Sequence, residues 1–305
     1  MRQTLVGALV GAVGATVTRR VLAARPPGGA ARWTRTNHAG DPVSLMEGPA
    51  LGVGLVAGGV AGALAAGQPR VAGAVAVAGT AGLGFGLLDD LGEDPTDRRK
   101  GLRGHLTAMA HGELTTGGAK VLGIGVGALA AAALLPRSGT TRLARTVDWC
   151  GTGACVAISA NLLNLLDLRP GRALKAGAAH VPGLLAAGGP AAAVGGAVLG
   201  AGGAVAPADL AGRDMLGDAG ANALGAVLAV GVAAAAPPAV RWALLAAEAG
   251  LTVASEKISF TRVIERTPVL REIDAWGRTA GPVPPTGSST VPSSESVVGQ
   301  KAHPR

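Results

Sequence analysis

The chain has 305 residues, of which 49% are hydrophobic and only 15% charged, and its mean hydropathy is +0.40. Its apolar residues come in blocks rather than in alternation, which predicts a polytopic, all-α membrane protein and excludes an ordinary soluble domain. The net charge of +8 favours anionic partners such as phosphates and lipid headgroups. Nucleic acid is not expected as a partner, because the sequence has no continuous basic arm and only 2% aromatic residues.

The apolar blocks predict about nine to ten transmembrane helices, since each crossing needs roughly 20 mostly apolar residues. The 50 glycines fit this class, because small residues let helix backbones approach closely in lipid. Cys150 and Cys155 lie within one block and are predicted to be small buried residues. The predicted spans lie at about residues 3–18, 49–67, 71–88, 119–136, 146–168, 178–189, 190–206, 219–236 and 239–257.

Basic residues in the connections predict the orientation. Arginine and lysine are concentrated after the first, third, fifth and seventh predicted spans. By the positive-inside rule these connections are cytoplasmic, which places the N-terminus outside and the C-terminus inside the cell membrane. Residues 1–280 form the predicted membrane domain. Residues 281–305 are rich in Pro, Ser, Thr and Gly and are predicted to be a disordered cytoplasmic tail.

Most carboxylates fall on this predicted cytoplasmic side. A proton pump or transporter would more often place its ionisable groups near the middle of the bilayer. The one-sided pattern therefore predicts a site at the inner membrane interface. Glu248 is an exception that lies deeper, without an assigned role. The carboxylates of the predicted cytoplasmic side are Asp41, Glu47, Asp89, Asp90, Asp167, Asp214 and Asp218.

The segment NLLNLLDLRPGRALK, residues 161–175, combines an apolar helix end with a basic loop. Asn161, Asn164 and Asp167 recur every three residues, so on a helix they share one face. Polar groups are costly in hydrocarbon, and this face could therefore hold a hydrated cation or a sugar near the membrane surface. Helix packing and capping are the alternative interpretation.

Two further segments carry groups that suit phosphate chemistry. Asp89 and Asp90 end the third predicted span, and two adjacent carboxylates suit either a base or a Mg²⁺ site, with a solvated helix end as the alternative. Lys120 opens the next span and could meet a phosphate or extend its charge to the membrane surface. His105 and His111, six residues apart, lack the spacing of paired metal ligands and are predicted to lie on the surface.

The segment RDMLGDAGANALG, residues 213–225, places Gly217 and Asp218 directly before an apolar helix. A Gly-Asp-x-Gly turn at Gly217 could offer backbone N–H groups to an anion while Asp218 holds a metal ion. Capping of the helix by Asp218 is the simpler alternative.

The motifs GLLDD, NLLNLLD and MLGDAGAN, each at the predicted cytoplasmic end of a span, resemble the signature motifs of the polyprenyl-phosphate N-acetylhexosamine-1-phosphate transferases. This superfamily is also called glycosyltransferase family 4. The segments KGLRGHL and LTTGGAK are more similar to one of its less characterised branches. The resemblance implies that a polyprenyl phosphate in the membrane attacks a UDP-sugar, giving polyprenyl-diphospho-sugar and UMP with Mg²⁺ as cofactor.

The resemblance also implies residue roles. Asn164 and Asp218 would ligate Mg²⁺, and Asp167 would orient the nucleotide-sugar. Asp89 or Asp90 would handle the lipid phosphate or act as base. Lys120 would lie near the phosphates, and Asn161 would support its helix face. A homodimer is a further possibility.

Two departures from the family motivate an alternative, a catalytically inactive membrane scaffold with the same fold. Met215 stands where the family usually has an aromatic residue that stacks on uracil. The segment TPVLREIDAWGR, residues 267–278, corresponds to a histidine-rich family motif but contains no histidine. A small transporter fits the helix count but not the one-sided carboxylates.

Overall fold

A computed structural model describes residues 1–37, 40–92 and 116–279. Nine helices form the main series: α1 (Arg2–Ala24), α2 (Glu47–Ala65), α3 (Pro69–Gly92), α4 (Thr116–Leu134), α5 (Arg142–Leu166), α6 (Arg172–Ala187), α7 (Gly189–Leu210), α8 (Gly217–Ala235) and α9 (Pro238–Ser255). Two short helices follow, α10 (Phe260–Arg266) and α11 (Pro268–Ala275). The predictions for His105, His111 and residues 281–305 fall outside the described residues.

A short hairpin joins α1 to α2. After a 3₁₀ turn at Ala30–Trp33, strand β1 (Thr34–Thr36) pairs antiparallel with β2 (Pro42–Ser44). The hairpin side chains form a small apolar cluster of their own, in which Trp33, Leu45 and Met46 are buried. This cluster covers one end of the helical bundle next to the connection before α8, because Ser44 forms a bridge with Asp214.

Each predicted apolar block forms a helix, and the main disagreement is in the lengths of α6 and α7. Within the described ranges, seven helices are long and apolar enough to cross a membrane, as in a multi-pass helical membrane protein. α6 and α9 fall outside those seven, since α6 has only 16 residues and α9 carries Arg241 and Glu248. The break between α6 and α7 occurs at Gly188, whose φ of 72° favours glycine.

Small residues allow the helices to pack closely, as predicted. α1 lies against α2 and α7. A Cβ atom on Gly58 of α2 would collide with the backbone of Gly7 and Gly11 in α1. α8 is the most buried of the seven candidate spans and packs against α2, α3, α5, α6 and α7. The prediction that Cys150 is buried was wrong: Cys150 is exposed near the start of α5, while Cys155 is buried.

Helix ends bring most of the carboxylates to one end of the bundle, here called the acidic end. At this end α1, α3, α5 and α7 finish and α2, α4, α6 and α8 begin. Segments far apart in sequence contact each other at the acidic end. One such contact is the ion pair between Arg19 of α1 and Asp214 before α8, at 2.7 Å. The opposite end carries a different buried pair, Asp148 with Arg241, at 2.5 Å.

Candidate functional site at the acidic end

Lys120 lies between two carboxylates from two other helices. Its ammonium nitrogen Nζ is 2.5 Å from Asp89 Oδ2 near the end of α3 and also forms an ion pair with Asp218 Oδ2 in the first turn of α8. The side chains are mostly shielded, with 19% of Lys120, 8% of Asp89 and 22% of Asp218 exposed. Two carboxylates thus share the single positive charge of Lys120, where the local dielectric is low and each charge interacts strongly.

Asp90 caps helix α8. The backbone N–H groups of Asp218 and Ala219 donate to Asp90 Oδ1 and Oδ2, each at 2.9 Å. These are first-turn N–H groups without a partner in the helix, so the carboxylate replaces the missing acceptors. Capping by Asp218, the alternative from the sequence, is wrong because the cap comes from α3 and the Asp218 side chain binds Lys120 instead.

Gly217 is required where it stands. Its φ of 57° lies in the left-handed region, and a Cβ atom there would come within 3.0 Å of both Asp90 carboxylate oxygens. The predicted Gly-Asp-x-Gly turn therefore exists, but its N–H groups are directed at a carboxylate of the protein itself.

Asp167 follows the last residue of α5 and lies beside the same turn. The backbone N–H of Gly217 hydrogen-bonds to it, and its Oδ2 is buried without a partner among the described residues. Burial, followed by the negative charge of Asp209, raises the pKa of Asp167 well above its ordinary value. The carboxylates of Asp90 and Asp218 are also close enough to Asp167 to act on it electrostatically.

The two asparagines of the predicted face separate from Asp167. Asn161 lines an apolar cavity on the side of Lys120. Asn164 is half-buried, its backbone carbonyl accepts the N–H of Asp167 at 3.1 Å, and its side chain has no hydrogen bond to the described residues. The three residues therefore do not form one polar face: Asn161 lines the cavity, whereas Asn164 and Asp167 lie at the end of α5.

The cavity has a volume of about 300 Å³ and lies between α4, α5, α8 and α9. Its wall is largely aliphatic, with four polar side chains from the four helices. Among the described residues, Asn222 Nδ2 and Thr252 Oγ1 are buried and have no hydrogen-bond partner. The lining residues are Lys120, Val121, Ile124, Ala157, Ile158, Asn161, Asn222, Ala249, Thr252 and Val253.

Besides Asp214, which pairs with Arg19, two further buried carboxylates at the acidic end received no site role from the sequence. Glu47 opens α2 and is fully buried, and neither of its carboxylate oxygens has a partner among the described residues. Asp209, 2% exposed near the end of α7, accepts the backbone N–H of Gly171 at 3.1 Å. Asp209 could have been found from the sequence, because it is a carboxylate at the end of an apolar span. Burying a carboxylate there is energetically unfavourable unless it has a partner or a function.

The C-terminal segment is tied to the start of α6. Arg172 donates two hydrogen bonds to Asp274, at 2.8 and 3.1 Å, and Arg278 adds a contact of 2.9 Å. Burial raises the pKa of Asp274, but the hydrogen bonds and charges of both arginines outweigh it and hold the pKa below its ordinary value. Residues that correspond to the family's histidine motif thus form an ion-pair cluster next to the acidic end.

The donor atoms at the acidic end suit Mg²⁺ only in part. Over the ranges that the structure describes, no group of three or more His, Cys, Asp or Glu side chains is placed to hold a metal ion. Mg²⁺ is, however, usually bound by one or two carboxylates together with water and substrate phosphates, rather than by a cage of protein ligands. Asp218 provides one such carboxylate, although Lys120 pairs with it here.

No protein-family model matches this chain, and no curated protein matches it either. The resemblance to the polyprenyl-phosphate N-acetylhexosamine-1-phosphate transferases therefore rests on the three motifs and on their meeting at the acidic end.

Proposed function

We propose that this protein transfers a sugar-1-phosphate from a UDP-sugar to a polyprenyl phosphate, at the cytoplasmic face of the cell membrane. The products are a polyprenyl-diphospho-sugar and UMP, which serve the synthesis of a cell-envelope glycopolymer. The observation that carries the proposal is Lys120, which joins Asp89 to Asp218 and also lines the apolar cavity. The cation could bind phosphate groups, the carboxylates could bind Mg²⁺ or a proton, and the apolar cavity could hold the lipid chain.

The cavity supports a lipid acceptor. An aliphatic wall inside the membrane domain suits an isoprenoid chain, and Lys120 could meet its phosphate. Asn161 and the unpartnered Asn222 offer neutral hydrogen-bonding groups in the same wall. The amides could hold phosphate or sugar oxygens without adding negative charge.

Asp89 is better placed than Asp90 to act on the acceptor. Both oxygens of Asp90 already accept backbone N–H groups, whereas Asp89 is directed at Lys120. In the proposed reaction an oxygen of the lipid phosphate forms a bond to the β-phosphorus of the UDP-sugar, and the bond from that phosphorus to the UMP oxygen breaks. Asp89 would accept any proton on the attacking phosphate, and Lys120 would stabilise charge on the phosphoryl oxygens.

Asp218 and Asn164 would hold Mg²⁺, which in phosphoryl transfer neutralises charge that develops on the phosphate oxygens. Asp167 would orient the nucleotide-sugar from beside the turn at Gly217, to which it is hydrogen-bonded. In this arrangement Gly217 and Asp90 keep Asp218 in place.

A matched pair of variants tests the proposal. Purified protein is incubated with a panel of UDP-sugars, undecaprenyl phosphate and Mg²⁺ in detergent, and UMP release is measured. Asp218→Asn should lower the rate by about 100-fold or more, as expected when a group that stabilises transition-state charge is lost. Asp41→Asn makes the same change at an exposed carboxylate of the hairpin and should leave the rate unchanged. UMP release at the wild-type rate by Asp218→Asn would refute the proposal.

The alternative is a catalytically inactive membrane scaffold with the same fold. It is favoured by Met215, which cannot stack on uracil as an aromatic residue does, and by the ion-pair cluster at Asp274 in place of histidines. Binding of UDP-sugar to the purified protein that depends on Mg²⁺ would argue against it. Absence of such binding for every sugar in the panel would support it.

A further inference from the structure

Three polar side chains from three helices meet around a second, much smaller cavity, separate from the Lys120 site. Glu248 of α9 is 4% exposed and Ser159 of α5 is 3% exposed. The Ser159 hydroxyl donates a hydrogen bond of 2.6 Å to Glu248 Oε2. His180 of α6 lines the same cavity, and the remaining lining residues are aliphatic or glycine.

These three residues lie at one level within the bundle. Each lies seven or eight residues from the end of its helix that is at the acidic end. These helix ends are Leu166 for α5, Arg172 for α6 and Ser255 for α9. At about 1.5 Å per residue this places them about 10–12 Å inside the bundle. An ionisable side chain at such a depth is costly in a membrane protein and is therefore a candidate functional site.

The cavity has the size of one water molecule. Its volume is about 10 Å³, close to the roughly 10–15 Å³ that a single buried water needs. A buried water also needs two to four polar partners. Glu248, Ser159 and His180 provide three, so the space is both large enough and polar enough to be hydrated.

Hydrogen bonding determines which atoms of these side chains remain available to a water in this cavity. His180 Nδ1 lies 3.0 Å from the backbone carbonyl of Ala176, and a carbonyl only accepts, so Nδ1 carries the hydrogen. Nε2 of the neutral ring is then an acceptor. On Glu248 the hydroxyl of Ser159 engages Oε2, which leaves Oε1 for the water.

We infer that Glu248, Ser159 and His180 form an intramembrane proton-binding site, in which one water joins the carboxyl group to the imidazole. The proton passes between the two side chains: the carboxylic acid gives its proton to the water, and the water gives one of its own to His180 Nε2. The products are a carboxylate and an imidazolium, so the net charge does not change. Ser159 holds the carboxyl group in place.

Few other charged groups act on this site. On α5, the nearest other titratable group is the buried thiol of Cys155, one helical turn from Ser159. On α9, Arg241 is seven residues from Glu248 and is paired with Asp148 of α5. From α6 only His180 lines the cavity, and α8 contributes glycine and aliphatic residues alone. The proton is thus shared within an otherwise apolar wall.

Infrared difference spectroscopy on the full chain in lipid nanodiscs tests the inference. We expect a carboxylic-acid C=O band that changes reversibly with pH, shifts in D₂O and is absent from Glu248→Gln. The band should shift in His180→Leu, which removes the water's acceptor at similar volume, and in Ser159→Ala, which leaves the carboxyl group intact. Asp41→Asn, at an exposed carboxylate of the hairpin, should keep the wild-type band.

The inference is overturned if wild type and Glu248→Gln give the same carboxyl spectrum across the pH range. It is equally overturned if neither His180→Leu nor Ser159→Ala moves the band. Ser159→Ala makes the test possible even when Glu248→Gln does not fold. Because UMP release plays no part in these readouts, failure of this inference and failure of the proposed transfer are distinguishable.

Discussion

The carboxylate of Asp90 accepts the backbone N–H of Asp218 at 2.9 Å, across 128 residues of sequence. This bond fixes the start of α8 against the end of α3, and its consequence is that the Asp218 side chain is directed at Lys120. The neighbouring Asp89 reaches the same lysine. Two adjacent aspartates therefore have different tasks: Asp90 stabilises a helix terminus, and Asp89 completes the charged cluster.

Removal of the cap should destabilise the protein in a graded way. Asp90→Ala deletes both acceptors and should lower the free energy of unfolding by about 1–2 kcal/mol, whereas Asp90→Asn keeps one side-chain oxygen and should lose less. Thermal unfolding in detergent measures the difference. Equal stability of Asp90→Ala and wild type would contradict a capping role.

Close contact between α3 and α8 should make one glycine indispensable. A Cβ atom on Gly86 would collide with the backbone of Asp218 and Ala219, while one on Gly84 would meet nothing within 4 Å. We expect Gly86→Ala to lower both the thermal midpoint and the rate of UMP release, because it pushes the start of α8 away from Asp90. Gly84→Ala, the same change two residues earlier, is the matched control and should behave as wild type. Identical behaviour of the two variants would exclude a close helix contact at Gly86.

The ion-pair cluster should be cooperative. Lys120→Met leaves Asp89 and Asp218 shielded without a cation, which should cost about 3 kcal/mol or more of stability. Lys120→Met combined with Asp89→Asn removes a negative charge as well and should recover part of the loss. A double-mutant cycle from thermal or chemical unfolding measures this coupling. Additive effects of the two changes would show that the ammonium does not bridge the carboxylates.

The order of the helices could be predicted from the sequence because an apolar block of about 20 residues is stable in a membrane as a spanning α-helix. The roles of individual polar residues were harder to predict. Asn161, Asn164 and Asp167 share a helical repeat, yet α5 ends at Leu166, and Asp167 turns away to the N–H of Gly217. Spacing alone does not show where a helix ends.

Pairings between distant segments could not be predicted from the sequence either. Arg172 and Asp274 are 102 residues apart, and the pairing of Ser159 with Glu248 depends on the rotation of α5 and α9 about their axes. Packing of small residues sets that rotation, and no local pattern records it. The motifs could therefore indicate a cluster of carboxylates, but not that a lysine would join two of them.

Removal of divalent cations should abolish the proposed transfer without unfolding the protein. A chelator is expected to stop UMP release, and added Mg²⁺ to restore it, because the transition-state charge on the phosphoryl oxygens loses its counter-ion. The thermal midpoint should change little, since the described part of the chain has no group of three or more His, Cys, Asp or Glu side chains that could hold a metal ion. A large fall in the midpoint would instead identify a structural metal ion.

Acid should release the C-terminal segment from α6. Arg172 and Arg278 hold the pKa of Asp274 below its ordinary value, so the folded state favours the carboxylate and the stabilisation is present above the unfolded pKa of about 3.9. As the pH falls through the lower, folded pKa, Asp274 becomes protonated and the stabilisation is lost. Hydrogen exchange of residues 260–279 in a pH series measures this, with faster exchange expected below about pH 4. Asp274→Asn should exchange fast at every pH, and an Asp274→Asn profile that still shows the acid step would assign the step to another group.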